Sequence, residues 1–188
     1  MIWTIPNTLT MARILAAPIV GALVVLGGLE ASIWAFVIFV IAALTDFFDG
    51  WLARRLQMES AIGQMLDPIA DKVMVTIVLA ALLSREPNQS WLFLLPAFVI
   101  LARETLVSGL REYLGDTKLK VTMLAKWKTT FQLTAIAAFL LADALTSDGA
   151  IAMIALATLW LAAILTAMSG WDYFDKGIAF IRERESGG

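Results

Sequence analysis

The chain contains no cysteine and no histidine in its 188 residues. That double absence excludes disulfides, thiolate nucleophiles, Cys/His zinc sites and the Ser-His or Cys-His pairs of many nucleophilic enzymes. Charge is scarce as well: 16% of the residues are charged, against about 25% in an ordinary soluble domain. With 14 basic and 16 acidic residues the formal net charge is -2. No global basic field is available to a nucleic acid, and none is expected as a partner.

What fills the chain instead is apolar. Hydrophobic residues make up 60% of it and the mean hydropathy is +0.82, the balance of an integral membrane protein rather than a soluble domain. Chemistry has to run on carboxylates, amines, guanidinium groups and hydroxyls. Carboxylates without imidazole or thiolate favour hard, oxygen-seeking cations such as Mg, Mn or Ca.

Charge-free apolar runs at 14–29, 31–45, 73–84, 87–102, 129–142 and 149–171 predict six helices. The expected fold is all-α and polytopic, one membrane domain over 1–188 with no visible repeat or linker. Only the last run comfortably exceeds the roughly 20 residues needed to cross the hydrocarbon. The other five must draw flanking charged residues into their helical ends, which marks those charges as functional candidates. The first run, preceded by Arg13, also has the outline of a signal peptide; five further spans favour a retained first helix.

The loops at 27–32, 85–91 and 143–149 hold one basic residue, Arg85, while the other 13 of the 14 fall on the opposite side. The positive-inside rule therefore puts both termini, and every charged helix end discussed below, on the cytoplasmic side. Pro6 followed by Asn7, Thr8 and Thr10 reads as a helix start. Leu9, Ile14, Leu15 and Ile19 let that first segment lie in the interface. The segment 182–188 reads as a solvated tail.

The informative stretch is 46–72. At about 100° per residue, Asp46, Asp49, Gly50 and Ala53 share one face of the second helix, and Gly63, Asp67 and Asp71 one face of the third. A short turn at 57–60 would make the two helices antiparallel neighbours. Four carboxylates then converge at one depth. An aspartate at a helix centre costs about 3 kcal/mol even on a lenient insertion scale, so cations must gather there, and Arg54, Arg55 and Lys72 are too few. Two divalent ions match four carboxylates and suit phosphoryl transfer. Gly50 and Ala53 leave backbone room for a bulky ligand such as a nucleotide. Gly50 and Gly63 equally suit close helix packing. Pro68 interrupts the third helix between Asp67 and Asp71: a kink there aims the carboxylates, or is tolerated membrane proline.

Asp46-x2-Asp49-Gly50-x2-Ala53-Arg54-x8-Gly63-x3-Asp67-x3-Asp71 resembles the complete signature of the CDP-alcohol phosphatidyltransferases. The resemblance implies six transmembrane helices in a homodimer, two divalent metals, Mg or Mn, on the four aspartates, and attack of an alcohol on a CDP-linked lipid with release of CMP. Position by position, it makes Asp46, Asp49, Asp67 and Asp71 metal ligands and Asp71 the general base. Asp49, Gly50, Ala53, Arg54 and Gly63 would line the nucleotide pocket.

A second polar constellation, Arg103, Glu104, Arg111, Lys126, Lys128 and Thr129, falls on the cytoplasmic ends of the fourth and fifth helices. Guanidinium and ammonium groups together make a phosphate receptor, so an anionic acceptor is expected rather than choline, ethanolamine or serine. The competing reading makes these residues topology determinants touching anionic lipid heads; Lys118 and Lys120 fit that role best. The stretches 5–13, 102–112 and 124–130 are similar to the bacterial phosphatidylglycerophosphate synthases within the family. That similarity implies CDP-diacylglycerol as donor and sn-glycerol 3-phosphate as acceptor, amid membrane lipids. Asn7, Thr10, Arg13, Lys72 and Lys128 would close the pocket, though the first three also read as ordinary helix-start residues. Rival functions are the same chemistry on inositol phosphate, or a divalent-cation transporter whose carboxylates line a pathway.

Overall fold

The computed structural model describes residues 5–56, 61–85, 90–114, 123–145 and 149–186. Among these, all regular structure is helical: α1 (Ile5–Leu26), α2 (Leu29–Leu56), α3 (Ala61–Leu83), α4 (Trp91–Leu114), α5 (Met123–Leu145) and α6 (Ala150–Ser186). Four of them are long and apolar enough to cross a membrane, within 7–26, 29–46, 91–114 and 150–182. The other two, α3 and α5, each have charged residues within their first three or so turns, before a purely apolar part.

The α1–α2 connection is tighter than the loop expected at 27–32. It consists of Gly27 and Gly28, with φ of 68° and 86°, a left-handed backbone that a side chain would strain. The Gly27 amide closes α1 by donating to the Leu23 carbonyl at 3.1 Å, the usual way a helix end satisfies its last carbonyls. At α4, the Ser90 carbonyl accepts the Phe93 amide at 2.9 Å. Pro68 lies inside a helix that continues from Ala61 to Leu83; it bends the local bonding without ending the element.

The six helices pack as a ring in the order α3, α1, α2, α5, α6, α4, and the ring is thin where α3 meets α4. This corrects the expectation that α2 and α3 pair directly. Among the described residues α1 is wedged between them and carries most of their contact, because its small faces allow close approach on both sides. Gly21 illustrates this: a Cβ there would stand 2.7 Å from Ile77 Cγ2. Alanines do the same elsewhere, with Ala17, Ala35, Ala135, Ala155 and Ala162 fully buried beside Val20, Phe39, Leu79, Ile100 and Leu159. Lipid tails are as apolar as leucine, so packing of this kind, rather than water exclusion, holds such helices together.

Polar side chains collect at the two ends of the ring. At one end lie Arg13, Asp46, Asp71, Lys72, Arg103, Glu104 and Lys128; at the other, Arg85 and Asp143 pair at 3.0 Å. The cluster of one end uses the start of α1, α3 and α5 and the later part of α2, α4 and α6, as alternating up-and-down helices require. The 182–186 stretch, expected as a solvated tail, is the last turn of α6.

Candidate active site

Arg13, one turn beyond Thr10 on α1, is the hub of the acidic cluster. Only 5% of it is exposed, yet it reaches carboxylates on two other helices. Its Nη1 bonds Asp46 of α2 and donates to Asp71 of α3 at 3.2 Å, while Nη2 lies 3.6 Å from Asp67. Thr10 Oγ1 donates to Asp67 at 2.8 Å. The Nε of Arg13 is buried without a partner among the described residues. Asn7, one turn earlier, is buried on the same side of α1.

Three carboxylates thus share one fixed cation, leaving excess negative charge beside an apolar interior. Their all-oxygen donors suit a hard divalent ion, so the residues fit the metals that the aspartate pattern implies. Among the described residues, no three acidic side chains yet converge on a single ion position; Arg13 stands between them. Asp49, Gly50, Ala53 and Arg54 sit on α2 within 29–56, and their side chains lie outside the described residues, as does that of Lys126 on α5. Gly63 is buried on α3, on the side of Asp67.

Next to this cluster opens a cavity of about 320 Å³, at the thin seam between α3 and α4. Asp67 and Asp71 form one wall and Lys72, Arg103, Arg111 and Lys128 another. Asp71 and Thr129 line both this cavity and a small one of about 20 Å³ that contains Arg13 and Asp46. They stand at the junction of the acidic and basic halves.

The basic half is organised by Glu104, which is 8% exposed. It is ion-paired with Lys128 of α5 and, at 3.2 Å, with its neighbour Arg103. Neither cation is loose: a buried carboxylate of this kind is stable only when paired and hydrogen-bonded, and its bond to Lys128 links α4 to α5 through side chains. Arg103 also donates to Ser169 of α6 at 3.2 Å. Lys72 donates to Ser108 of α4 at 2.6 Å, and Arg111 lies over the Tyr173 ring, 5.9 Å from its centroid.

The structure therefore brings together Asp46, Asp67 and Asp71 with Thr10 and Arg13, and Lys72, Arg103, Arg111, Lys128 and Thr129 around the adjoining cavity. Sequence reasoning missed the fourth wall, in which Ser169, Asp172, Tyr173 and Lys176 of α6 line the same cavity. The signal was present as polar positions at i, i+3, i+4 and i+7, the spacing of one helical face.

Over residues 3–168 the chain matches the CDP-alcohol phosphatidyltransferase family. It is 41% identical to a CDP-diacylglycerol--glycerol-3-phosphate 3-phosphatidyltransferase of Cereibacter sphaeroides, covering 98% of this chain and 100% of that protein. Proteins of the same name from Rickettsia bellii and Pectobacterium atrosepticum are 39% and 37% identical, over 90% and 93% of this chain and 93% and 95% of theirs.

Proposed function

Because this chain belongs to the CDP-alcohol phosphatidyltransferase family, we propose that it transfers a phosphatidyl group from CDP-diacylglycerol to sn-glycerol 3-phosphate, giving phosphatidylglycerophosphate and CMP. The chain is then a multi-pass membrane transferase. The observation that carries this reading is the position of Asp71, which faces the acidic cluster on one side and the cation-lined cavity on the other. A group that takes a proton from one substrate while the other is held by the acidic cluster has to stand at such a junction.

In the reaction, the acceptor hydroxyl gives its proton to a carboxylate oxygen of Asp71. The alkoxide oxygen attacks the phosphorus that bears diacylglycerol, and the bond from that phosphorus to the bridging pyrophosphate oxygen breaks, releasing CMP. Asp46, Asp49, Asp67 and Asp71 would hold two divalent ions, Mg or Mn, whose charge would stabilise the phosphates. Asp49, Gly50, Ala53, Arg54 and Gly63 would receive the nucleotide, with Asn7, Thr10 and Arg13 closing that side. Arg103, Arg111, Lys126, Lys128 and Thr129 would hold the acceptor's phosphate, with Lys72 beside it. A phosphate needs cations apart from those consumed by the aspartates, and the cavity supplies them.

The same reading takes α3 and α5 as spans alongside the four helices long and apolar enough to cross a membrane. It makes 1–188 one domain, both termini and the site cytoplasmic in a bacterial inner membrane, and the enzyme a homodimer. The basic residues of the site end favour that orientation. Asp46, Asp67 and Asp71 gather at one end, above a core of Val24, Phe39, Phe93 and Leu140, which supports a surface site over a cation pathway. The test is CMP release in detergent from CDP-diacylglycerol with glycerol 3-phosphate, inositol phosphate, inositol, serine and choline in turn. Release with glycerol 3-phosphate is expected; release with none of them overturns the transferase reading, and preference for inositol phosphate reassigns the acceptor.

A further inference from the structure

The two guanidinium groups of the cavity are both set by one turn of α6. We propose that Ser169, Gly170 and Tyr173 are positioning residues that fix Arg103 and Arg111 for the acceptor's phosphate; the inference rests on the acceptor reading above and concerns what tunes it.

Three contacts support this. Gly170 faces the stem of Arg103 so closely that a Cβ would stand 2.8 Å from Cγ and 3.3 Å from Nε. Those are not the free end of a flexible chain but the part that steers the guanidinium, so any side chain at 170 forces Arg103 into another rotamer. Ser169 Oγ then accepts from Arg103 Nη2 at 3.2 Å and itself donates to the Thr166 carbonyl at 3.1 Å, which holds the hydroxyl in place. One turn on, the Tyr173 ring lies under Arg111 at 5.9 Å, within the range of a cation–π contact. Arg103 and Arg111 are eight residues apart on α4; Glu104 holds only the first of them from within that helix, whereas the α6 turn touches both.

The same helix pair contains an internal control. Gly177 packs on Leu110 as Gly170 packs on Arg103, with a Cβ at 177 falling 2.9 Å from Leu110 Cδ2. Gly170→Ala and Gly177→Ala both crowd the α4–α6 seam, but only the first meets the stem of a cation. The experiment measures KM for glycerol 3-phosphate and for CDP-diacylglycerol, with thermal unfolding in detergent, for Gly170→Ala, Gly177→Ala, Ser169→Ala, Tyr173→Leu, Tyr173→Phe, Arg103→Ala and Arg111→Ala. Expected is an acceptor KM raised about tenfold by Gly170→Ala and Tyr173→Leu, less by Ser169→Ala. Tyr173→Phe, which keeps the ring, recovers most of the loss, and KM for the lipid stays put. Gly177→Ala lowers thermal stability like Gly170→Ala but leaves the acceptor KM alone. If Gly177→Ala raises that KM as much as Gly170→Ala, the effect is helix packing and the proposal falls. If Arg103→Ala and Arg111→Ala raise it while the α6 variants do not, the proposal falls and the acceptor site stands; if the arginine variants themselves do nothing, the acceptor site is elsewhere.

Discussion

Arg13 donates to Asp71 at 3.2 Å across the α1–α3 contact, placing the guanidinium of the first helix against the proposed base on the third. Arg13→Ala leaves Asp46, Asp67 and Asp71 with no fixed cation between them. Removing one member of a fully buried pair costs about 3–5 kcal/mol; because these carboxylates remain partly exposed, a loss of roughly 1–3 kcal/mol is expected here. Thermal unfolding in detergent checks it. The deficit should be larger with chelator than with millimolar Mg, since a divalent ion supplies the missing charge. An equal deficit in both would mean that the metals do not share this cluster.

Asp71→Asn keeps size and polarity while removing a negative charge and a proton acceptor. Turnover is expected to vanish even at saturating acceptor, donor and metal. Titration with Mg or Mn separates the two roles of this side chain: restoration of turnover at high metal would make Asp71 a ligand alone and vacate the assignment of the base.

Arg111→Ala removes a charge-assisted contact worth about 1.5–3 kcal/mol, a tenfold to hundredfold loss. It should appear as a raised KM for glycerol 3-phosphate with kcat little changed, because a remote phosphate is held equally before and during reaction. Arg111→Lys should recover only part, having the charge without the planar fork. Full recovery by lysine would instead indicate a contact with lipid headgroups.

Glu104→Gln strands Lys128 and Arg103, cations of α5 and α4 that share its carboxylate. A fall in stability of about 3–5 kcal/mol is expected. Adding Lys128→Met to it should restore a substantial part, because the second change removes one of the two repelling charges. A double-mutant cycle of unfolding free energies reads this coupling; simple additivity would show that Glu104 and Lys128 do not act as a pair.

The sequence was most legible where chemistry and periodicity coincide. Asp46, Asp67 and Asp71 repeat at helical spacing in a chain otherwise poor in charge, and membrane insertion makes each such residue costly enough to need a reason. The helix count was equally open to reading, since long apolar runs leave no other fold in lipid. Neighbour relations were not. Chain order suggested that α2 and α3 pair across their short turn, but the small faces of α1 let it insert between them, and nothing in the aspartate spacing reports on a third helix. Thr10 and Arg13 therefore read equally as pocket residues and as ordinary helix-start residues, and only their contacts with Asp67 and Asp46 tie them to the cluster. Ser169 and Tyr173 escaped for a different reason: they continue an apolar run whose role as a span accounted for it, and their polarity has meaning only against α4.

The two-glycine turn at 27 and 28 also has a bearing on biogenesis. Arg13 and Asp46 are 33 residues apart and stand on opposite arms of that turn, facing each other at the same end. A hairpin so tightly joined can leave the insertion machinery as one unit, its arginine already matched by its aspartate, before the third helix and its two carboxylates have been made. The glycine pair thus fixes which ends of α1 and α2 stand side by side, from the end of the molecule farthest from the chemistry.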